Sequence, residues 1–305
     1  MLKKLKKAIT NPRIVLIVLL EKFACLFPDK WYLSMKYRLL MRKPMNWKNP
    51  QTFNEKLQWL KLYDRKPEYT QMVDKYEAKK FVANIIGEEY IIPTLGVWDR
   101  FDDIDFAALP EKFVLKTTHD SGTVAICTDK QHFDIAATRK LFNKRLRRKY
   151  YYTHREWPYK NVKPRIIAEK YMVDESGYEL KDYKFFCFDG EPKYCQVIRD
   201  RYINETIDFY DMNWIHMPFV GLNPVIGNGL NPVTQPKCLE NMKVICKKLS
   251  SKIPFVRIDL YVIQGKEYFG EITFYPASGI GTFTPSEWNR RLGDLIQLSK
   301  KSNRI

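Results

Sequence analysis

The stretch PFVRIDLYVIQGKEYFGEITFYPASGIGT, residues 254–282, decides how the chain is read. Two runs of alternating apolar residues, 255–263 and 267–274, flank Gln264-Gly265-Lys266. That tripeptide reads as a three-residue hairpin turn with glycine at the permissive position. A turn centred on Gly265 puts Asp259 opposite Glu271 and Arg257 opposite Thr273, and the strand period of two puts all four on one face. The other face carries Val256, Ile258, Leu260, Val262, Tyr268, Ile272 and Phe274, enough to cover a core. Two carboxylates facing each other across a strand pair stand about 5 Å apart and repel. A divalent cation removes that penalty, and oxygen-only ligands suit Mg²⁺ shared with phosphate. The alternative is a solvated hairpin with scattered charges.

Working outward, 305 residues hold two or three packed subdomains, and 45% apolar content with 14% aromatics marks a globular chain. Six cysteines form no C-x-x-C pair, which argues against zinc and against a disulfide framework and fits a reducing compartment. The net charge of +17 is unevenly placed: residues 1–66 hold sixteen Lys/Arg against four Asp/Glu, and 139–149 holds seven basic residues and no acidic one. Clustered positive charge implies an anionic partner: a membrane surface, a nucleic acid, a negatively charged polymer or a nucleotide. No run reaches the roughly eighteen apolar residues needed to span a bilayer. The charged start lacks a small-residue cleavage site, so a cytoplasmic protein is expected.

Residues 1–45 read as helical and amphipathic, suited either to the headgroup layer of an anionic membrane at its inner face or to packing on the rest of the domain. Thr52 with Glu55 forms the pattern of a capping box opening a helix, a structural role. A second helix is expected over 73–86, with Asp74 as N-cap and Lys75 in its first turn. Residues 90–95 read as a short strand. A strand over 113–116 ends in Lys116, a small-residue loop follows at 117–123, and a strand returns at 124–127. Such a loop can fold over phosphates, although it lacks the G-x-x-x-x-G-K-[ST] pattern and opens no helix. A basic helix over 136–150 is followed by tyrosines, but no nucleic-acid-binding motif accompanies it, so nucleic acid is not the expected partner. Strands over 164–172, 178–188, 193–200 and 206–210, a helix over 238–249 and a last helix over 287–298 complete the outline.

The order of these signals resembles the ATP-grasp fold: a helix lysine, a strand lysine with its small-residue loop, a strand ending in Glu169-Lys170, then R-x-D followed by E-x-T-x-x-P-x-x-G. The resemblance runs from Val73 to about Gly281. With Asn49-Pro50-x-Thr52-Phe53-Asn54-Glu55-Lys56, Asp182-Tyr183-Lys184 and Phe269-Gly270-Glu271-Ile272-Thr273-Phe274 included, the chain resembles the TupA-like branch. That branch is named for teichuronopeptide synthesis and found in bacterial surface-polysaccharide loci, and its members are often also labelled glycosyltransferases.

The resemblance implies an α+β fold of two subdomains clasping ATP, divided as a basic helical region (1–72), a small subdomain with a phosphate loop (73–172) and a large one with a metal-binding hairpin (173–305). It implies ATP and Mg²⁺ as cofactors. Lys75 and Lys116 would contact phosphates under a loop containing His119, Ser121 and Gly122. Glu169, Lys170 and Met172 would take the adenine, and Asp182 the ribose. Asp259, Glu271 and Thr273 would hold Mg²⁺, with Thr273 standing where many relatives have Asn. Arg257 would face the reacting carboxylate or phosphate, and Arg257 and Lys184 are the expected catalytic residues. The implied activity is amide formation through an acyl phosphate. An amino acid or amine would be joined to an anionic polysaccharide or nucleotide-sugar acceptor. The competing expectation is a glycosyltransferase, whose usual D-x-D signature occurs only around Asp103-Ile104-Asp105. A non-catalytic nucleotide-binding protein is a third, disfavoured by the facing carboxylates.

Overall fold

The structure is a computed structural model and describes residues 12–299 except 202 and 224. The expected helix before residue 12, with Leu2, Leu5 and Ile9, lies outside the described residues. The N-terminal part is helical: α1 (Pro12–Lys22), α2 (Asp29–Met41), α3 (Phe53–Tyr63), α4 (Glu68–Val73) and α5 (Glu77–Ile86). A capping box starts α3. Thr52 Oγ1 accepts from Glu55 N–H, and Glu55 Oε2 accepts from Thr52 N–H at 3.0 Å.

A four-stranded antiparallel sheet follows, built from β1 (Thr94–Trp98), β2 (Phe113–Thr117), β3 (Val124–Cys127) and β4 (Ile166–Lys170) in the order β1-β4-β2-β3. Between β3 and β4 lie α6 (Ile135–Leu146) and the short α7 (Tyr151–His154). Asp134 caps α6 by accepting from Ala137 N–H at 2.8 Å. This sheet and α6 share a core of their own, which includes Phe101, Phe113, Phe142 and Ile166.

The second sheet is six-stranded and antiparallel. It contains β5 (Asp182–Phe188), β6 (Glu191–Arg199), β7 (Thr206–Asp211), β8 (His216–Met217), β10 (Phe255–Ile263) and β11 (Lys266–Thr273), ordered β11-β10-β5-β6-β7-β8. α8 (Leu239–Ser250) packs on β5, β6 and β10. β9 (Val220–Gly221) pairs with β12 (Phe283–Thr284), and α9 (Trp288–Asp294) follows. The helices α3, α4 and α5 bury Phe53, Leu57, Met72 and Val82 in this sheet's core rather than in a separate N-terminal one.

The chain crosses between the sheets at 91–93 on the way in and at 171–181 on the way out. The crossings lie side by side: Lys170 N–H donates to the Pro93 carbonyl at 3.0 Å.

Several expected boundaries move for physical reasons. The helix expected over 73–86 is two helices broken at Asp74, whose ψ of 114° is extended. The Asp74 carboxylate accepts from Tyr76 N–H at 2.9 Å and so recaps the chain before α5. The strand expected over 90–95 begins only at Thr94, beyond Pro93. The strand expected over 178–188 begins at Asp182, because 171–181 is the crossing. The last helix, expected from 287, starts at Trp288 without a side-chain cap.

Candidate active site

The hairpin pairs Asp259 with Glu271 and Arg257 with Thr273, as the sequence implies. Two departures cancel to give this register. The turn has two residues, Gln264 and Gly265, both at positive φ (52° and 76°), and Ile263 pairs with Lys266. A bulge at Gly270 then restores the lost residue between the Asp259–Glu271 and Leu260–Phe269 pairs. Beyond the bulge the faces swap, so Phe269 (5% exposed) joins the core and the expected Tyr268 does not. Gly270 is where the backbones approach: a Cβ there would stand 2.9 Å from the Asp259 carbonyl oxygen.

The facing carboxylates are neutralised by the protein itself. Arg257 Nε donates to Asp259 Oδ1 at 2.6 Å, and its Nη2 donates to Asp259 Oδ2 at 2.7 Å, to Glu271 Oε1 at 3.0 Å and to Thr273 Oγ1 at 3.1 Å. Lys184, paired with Asp259 across β5 and β10, donates to the same carboxylate and to Asp182 at 3.2 Å. The hairpin therefore does not need a metal to stand, contrary to the expectation drawn from repulsion alone. Desolvation works against the Glu271 charge, but Lys184, Arg257 and Lys75 outweigh it and hold the carboxyl at about 2. Burial works against the Lys184 charge, and Asp182 and Asp259 more than restore it.

The cleft between the two sheets has an apolar wall that includes Ile92, Val114, Ile126, Met172, Ile198 and Tyr261. Lys116, Glu169, Lys170, Asp182 and Arg201 line it too. Glu169 is buried, with Lys79 on Oε1 at 2.6 Å and Lys116 on Oε2 at 2.5 Å. Burial raises its pKa, but the two lysines override that and bring it to about 2. Both carboxylate oxygens face lysines, so Glu169 orders Lys116 as well as lining the cleft. Lys75 lies in the break before α5, not in a helical turn. Its N–H donates to the Thr118 carbonyl at 3.2 Å, and its ammonium donates to the Asp120 carbonyl. Burial lowers its pKa, against the pull of Glu271 and Asp120.

The loop between β2 and β3 is built on Asp120, which accepts from the hydroxyls of Thr117 and Thr123 while fully buried. Its tip, Ser121-Gly122, is exposed, and Gly122 takes a φ of 83° that favours glycine. His119 is not at the tip: it is 3% exposed and its Nε2 faces the Arg145 carbonyl at 3.2 Å, on the side away from the cleft. That corrects its expected place over the phosphates.

Two cations that pair with cleft carboxylates have no counterpart in the sequence reading. Lys79 follows Lys75 by four residues, a spacing that hints at a shared face. Arg201, on Asp182 and 3.5 Å from Glu205, sits in a loop without any signal. The Asp103-Ile104-Asp105 triplet lies outside the cleft: Asp103 pairs with Arg100 at 3.3 Å, and Asp105 accepts from Ala107 N–H at 2.9 Å.

The donors fit a nucleotide carried with Mg²⁺. Glu271 is 42% exposed, and no described residue hydrogen-bonds its Oε2, which leaves an ionised oxygen for a cation. Among the described residues no three His, Cys, Asp or Glu side chains form a cage. A hard cation that brings phosphate oxygens with it suits such a two-carboxylate site. Asp259 fits less directly, since Arg257 and Lys184 already occupy its oxygens.

A family model described as TupA-like ATPgrasp matches residues 55–297. No curated protein matches the chain in sequence. Among solved structures, the D-alanine–D-alanine ligase from Bacillus anthracis complexed with ATP is 18% identical over 67% of this chain and 55% of its own, with a TM-score of 0.38. The D-alanine–D-alanine ligase from Helicobacter pylori is 14% identical over 82% of this chain and 70% of its own, at 0.39. The ATP-grasp ligase PsnB, complexed with minimal precursor, Mg and ADP, is 11% identical over 81% and 63%, at 0.38. The chain thus spans little more than half of the first of these. The family match is the decisive one: it takes in both sheets, the hairpin and most of helix α3, and by it the chain belongs to the TupA-like ATP-grasp family.

Proposed function

We propose that the protein is an ATP-dependent carboxylate–amine ligase whose substrate belongs to a bacterial surface polysaccharide or its precursor. One observation carries this reading: an apolar slot is lined by Lys116, and Lys75 and the ionised Glu271 lie near enough to that lysine to act on it electrostatically, the set of groups that a nucleotide and its phosphates require. In this reading the adenine lies against the 170–172 backbone and Glu169, the ribose near Asp182, and the phosphates under Ser121-Gly122 with Lys75 and Lys116. Glu271, with Asp259 and Thr273, would hold Mg²⁺, which when bound neutralises charge on the transferred phosphoryl group.

A substrate carboxylate oxygen attacks the γ-phosphorus of ATP and ADP leaves. An amine then attacks the acyl carbon, phosphate leaves and an amide forms, the amine giving up its proton. The protein's part is to position and to neutralise. Lys116 is held in line by Glu169, and Arg257 presents a fixed guanidinium beside Glu271 to the developing charge. The test is calorimetric titration with Mg·ATP and with UDP-sugars. Mg·ATP binding in the micromolar-to-millimolar range is expected, and binding of UDP-sugars without ATP would sink the reading in favour of a sugar transferase.

The same proposal places the enzyme against an anionic lipid surface through α1 and α2. Val18, Leu16 and Leu26 are 58%, 52% and 72% exposed, and Leu16, Leu19, Phe23, Trp31 and Met35 line one apolar groove. The acids of this segment turn away: Glu21 pairs with Lys36, and Asp29 with Arg65 and Arg155. What remains at the surface is apolar and basic, as with Lys22 over the Phe23 ring, and that chemistry complements anionic headgroups. Among the described residues no helix is long and apolar enough to cross a membrane.

A further inference from the structure

A second concavity opens behind the phosphate loop, between the end of α6 and the turn at Trp157–Asn161. Arg147, Arg148, Lys149 and Lys160 line it, and no carboxylate does. None of these four cations has a carboxylate partner among the described residues; Arg148 reaches only the Thr153 hydroxyl, at 3.1 Å. Four unpaired positive charges around one hollow repel one another, a cost that an anionic ligand removes. Nearby, Arg139 pairs with Asp102 and Lys163 with Asp99.

The floor of the hollow is aromatic. Tyr150 and Tyr159 meet edge to face at 4.9 Å, with the Arg148 guanidinium 5.4 Å from the Tyr150 ring centre. Ring faces beside cations suit a sugar, whose C–H face packs on the ring while its charged group meets the cations. The hollow lies directly behind the phosphate loop, whose His119 lines it.

We propose that this hollow is a subsite for a sugar bearing phosphate or carboxylate, held by Arg147, Arg148, Lys149 and Lys160 against Tyr150 and Tyr159. The proposal rests on the ligase reading and names the class of its acceptor. It places the acceptor on the far side of the phosphate loop from the adenine slot, so that nucleotide and sugar enter by separate mouths.

The test uses the full chain and the variant Arg147→Gln/Lys149→Gln, whose substituted residues are exposed and outside the nucleotide cleft. UDP-glucuronate, glucuronate and glucose 1-phosphate are titrated with and without saturating Mg and a non-hydrolysable ATP analogue. The three probes separate phosphate from carboxylate as the recognised group. At least one is expected to bind in the millimolar range or tighter, to weaken steeply with salt, and to bind about ten-fold more weakly to the variant, the effect of losing one or two charged hydrogen bonds. Affinity for the ATP analogue should not change in the variant. Absence of binding by all three probes, equal binding by the variant, or preference for a single-stranded oligonucleotide over the sugars would overturn the proposal. Loss of analogue binding by the wild type would instead count against the ligase reading, and the sugar titrations without analogue would still decide this one.

Discussion

The side-chain amide of Gln58 donates to the Ser278 carbonyl at 3.1 Å and to the Gly279 carbonyl at 2.8 Å, fastening α3 to the loop that follows the carboxylate hairpin. Asn54 on the same helix donates to Gly281 at 2.9 Å, and Lys61 to Ser278 at 2.8 Å. The loop needs fastening, because Ala277 and Ser278 both stand at positive φ, 47° and 54°.

Gln58→Ala leaves the Gly279 carbonyl unserved, takes an acceptor from the buried Lys61 and should cost about 1–3 kcal/mol of stability. With the loop displaced beside Thr273, turnover should fall further than Mg·ATP affinity. Urea melts alongside ADP-release assays check both, and unchanged turnover would show that the loop does not position the site.

The two hairpin carboxylates should respond differently to amidation. Glu271→Gln removes a half-exposed charge, so ADP release is lost while the melting temperature falls less than in the Asp259 variant. Asp259→Asn takes from Arg257 and Lys184 the buried carboxylate they share, leaving each with one carboxylate, and should cost about 3 kcal/mol as well as activity. Wild-type turnover in either variant would show that the hairpin is not the phosphoryl-transfer site.

Gly270→Val forces a side chain against the Asp259 carbonyl, 2.9 Å from the new Cβ, and against the Tyr261 ring. Overpacking of this kind costs about 1–3 kcal/mol. Loss of ADP release should accompany it, since the bulge sets Glu271 opposite Asp259. Retained turnover at reduced stability would mean that the register survives without the bulge.

Stability should fall in two stages on acidification. Burial, with Lys36, Lys61 and Arg148, holds His154 neutral down to about 2, whereas the unfolded chain protonates near 6.5, so stability is lost below pH 6.5. Glu169 and Glu271, both at about 2 when folded and 4.5 as reference, contribute stability that is present above 4.5 and lost toward 2. The buried Glu169 accounts for on the order of 2 kcal/mol of that second stage. Denaturant midpoints measured from pH 7 to 3 follow both stages: His154→Gln should remove the first and Glu169→Gln flatten the second, at a lower stability overall.

Replacing Leu16, Leu19, Phe23 and Trp31 with serine should reduce sedimentation with phosphatidylglycerol vesicles and leave ADP release in solution unchanged. Binding should also weaken with salt. Unaltered sedimentation, or a dimer in the wild type that dissociates in the variant, would assign the apolar face to another partner.

What was legible in the sequence was local and periodic. The alternation of 255–274 gave both strands, the faces up to the bulge and the pairing of Asp259 with Glu271, although through a three-residue turn where the chain uses two residues and a bulge. The capping box at Thr52 stood as read, because both its bonds close within four residues. Tertiary pairings were not legible. Arg165 reaches Asp74 at 2.8 Å, helping to fix the break that ended the expected helix before α5, and nothing near either residue announces it. His119 looked like part of the phosphate-loop lid because its neighbours are small, but the carbonyl that holds it belongs to α6. Lys79 and Arg201 owe their places to Glu169 and Asp182, each brought in by another strand.

The small sheet is hung at one end and bolted at the other. Its hinge pin is the pair of crossings joined by Lys170 and Pro93. β2 runs away from that pin for five residues, an arm of roughly 16 Å, before it reaches the loop. The bolt is Lys75, whose backbone and ammonium hold Thr118 and Asp120 at the far end of the arm. In the proposed reading, a phosphate that draws this ammonium from the Asp120 carbonyl would withdraw the bolt with the same bond that seats the nucleotide, and freedom of the loop tip would become a function of occupancy.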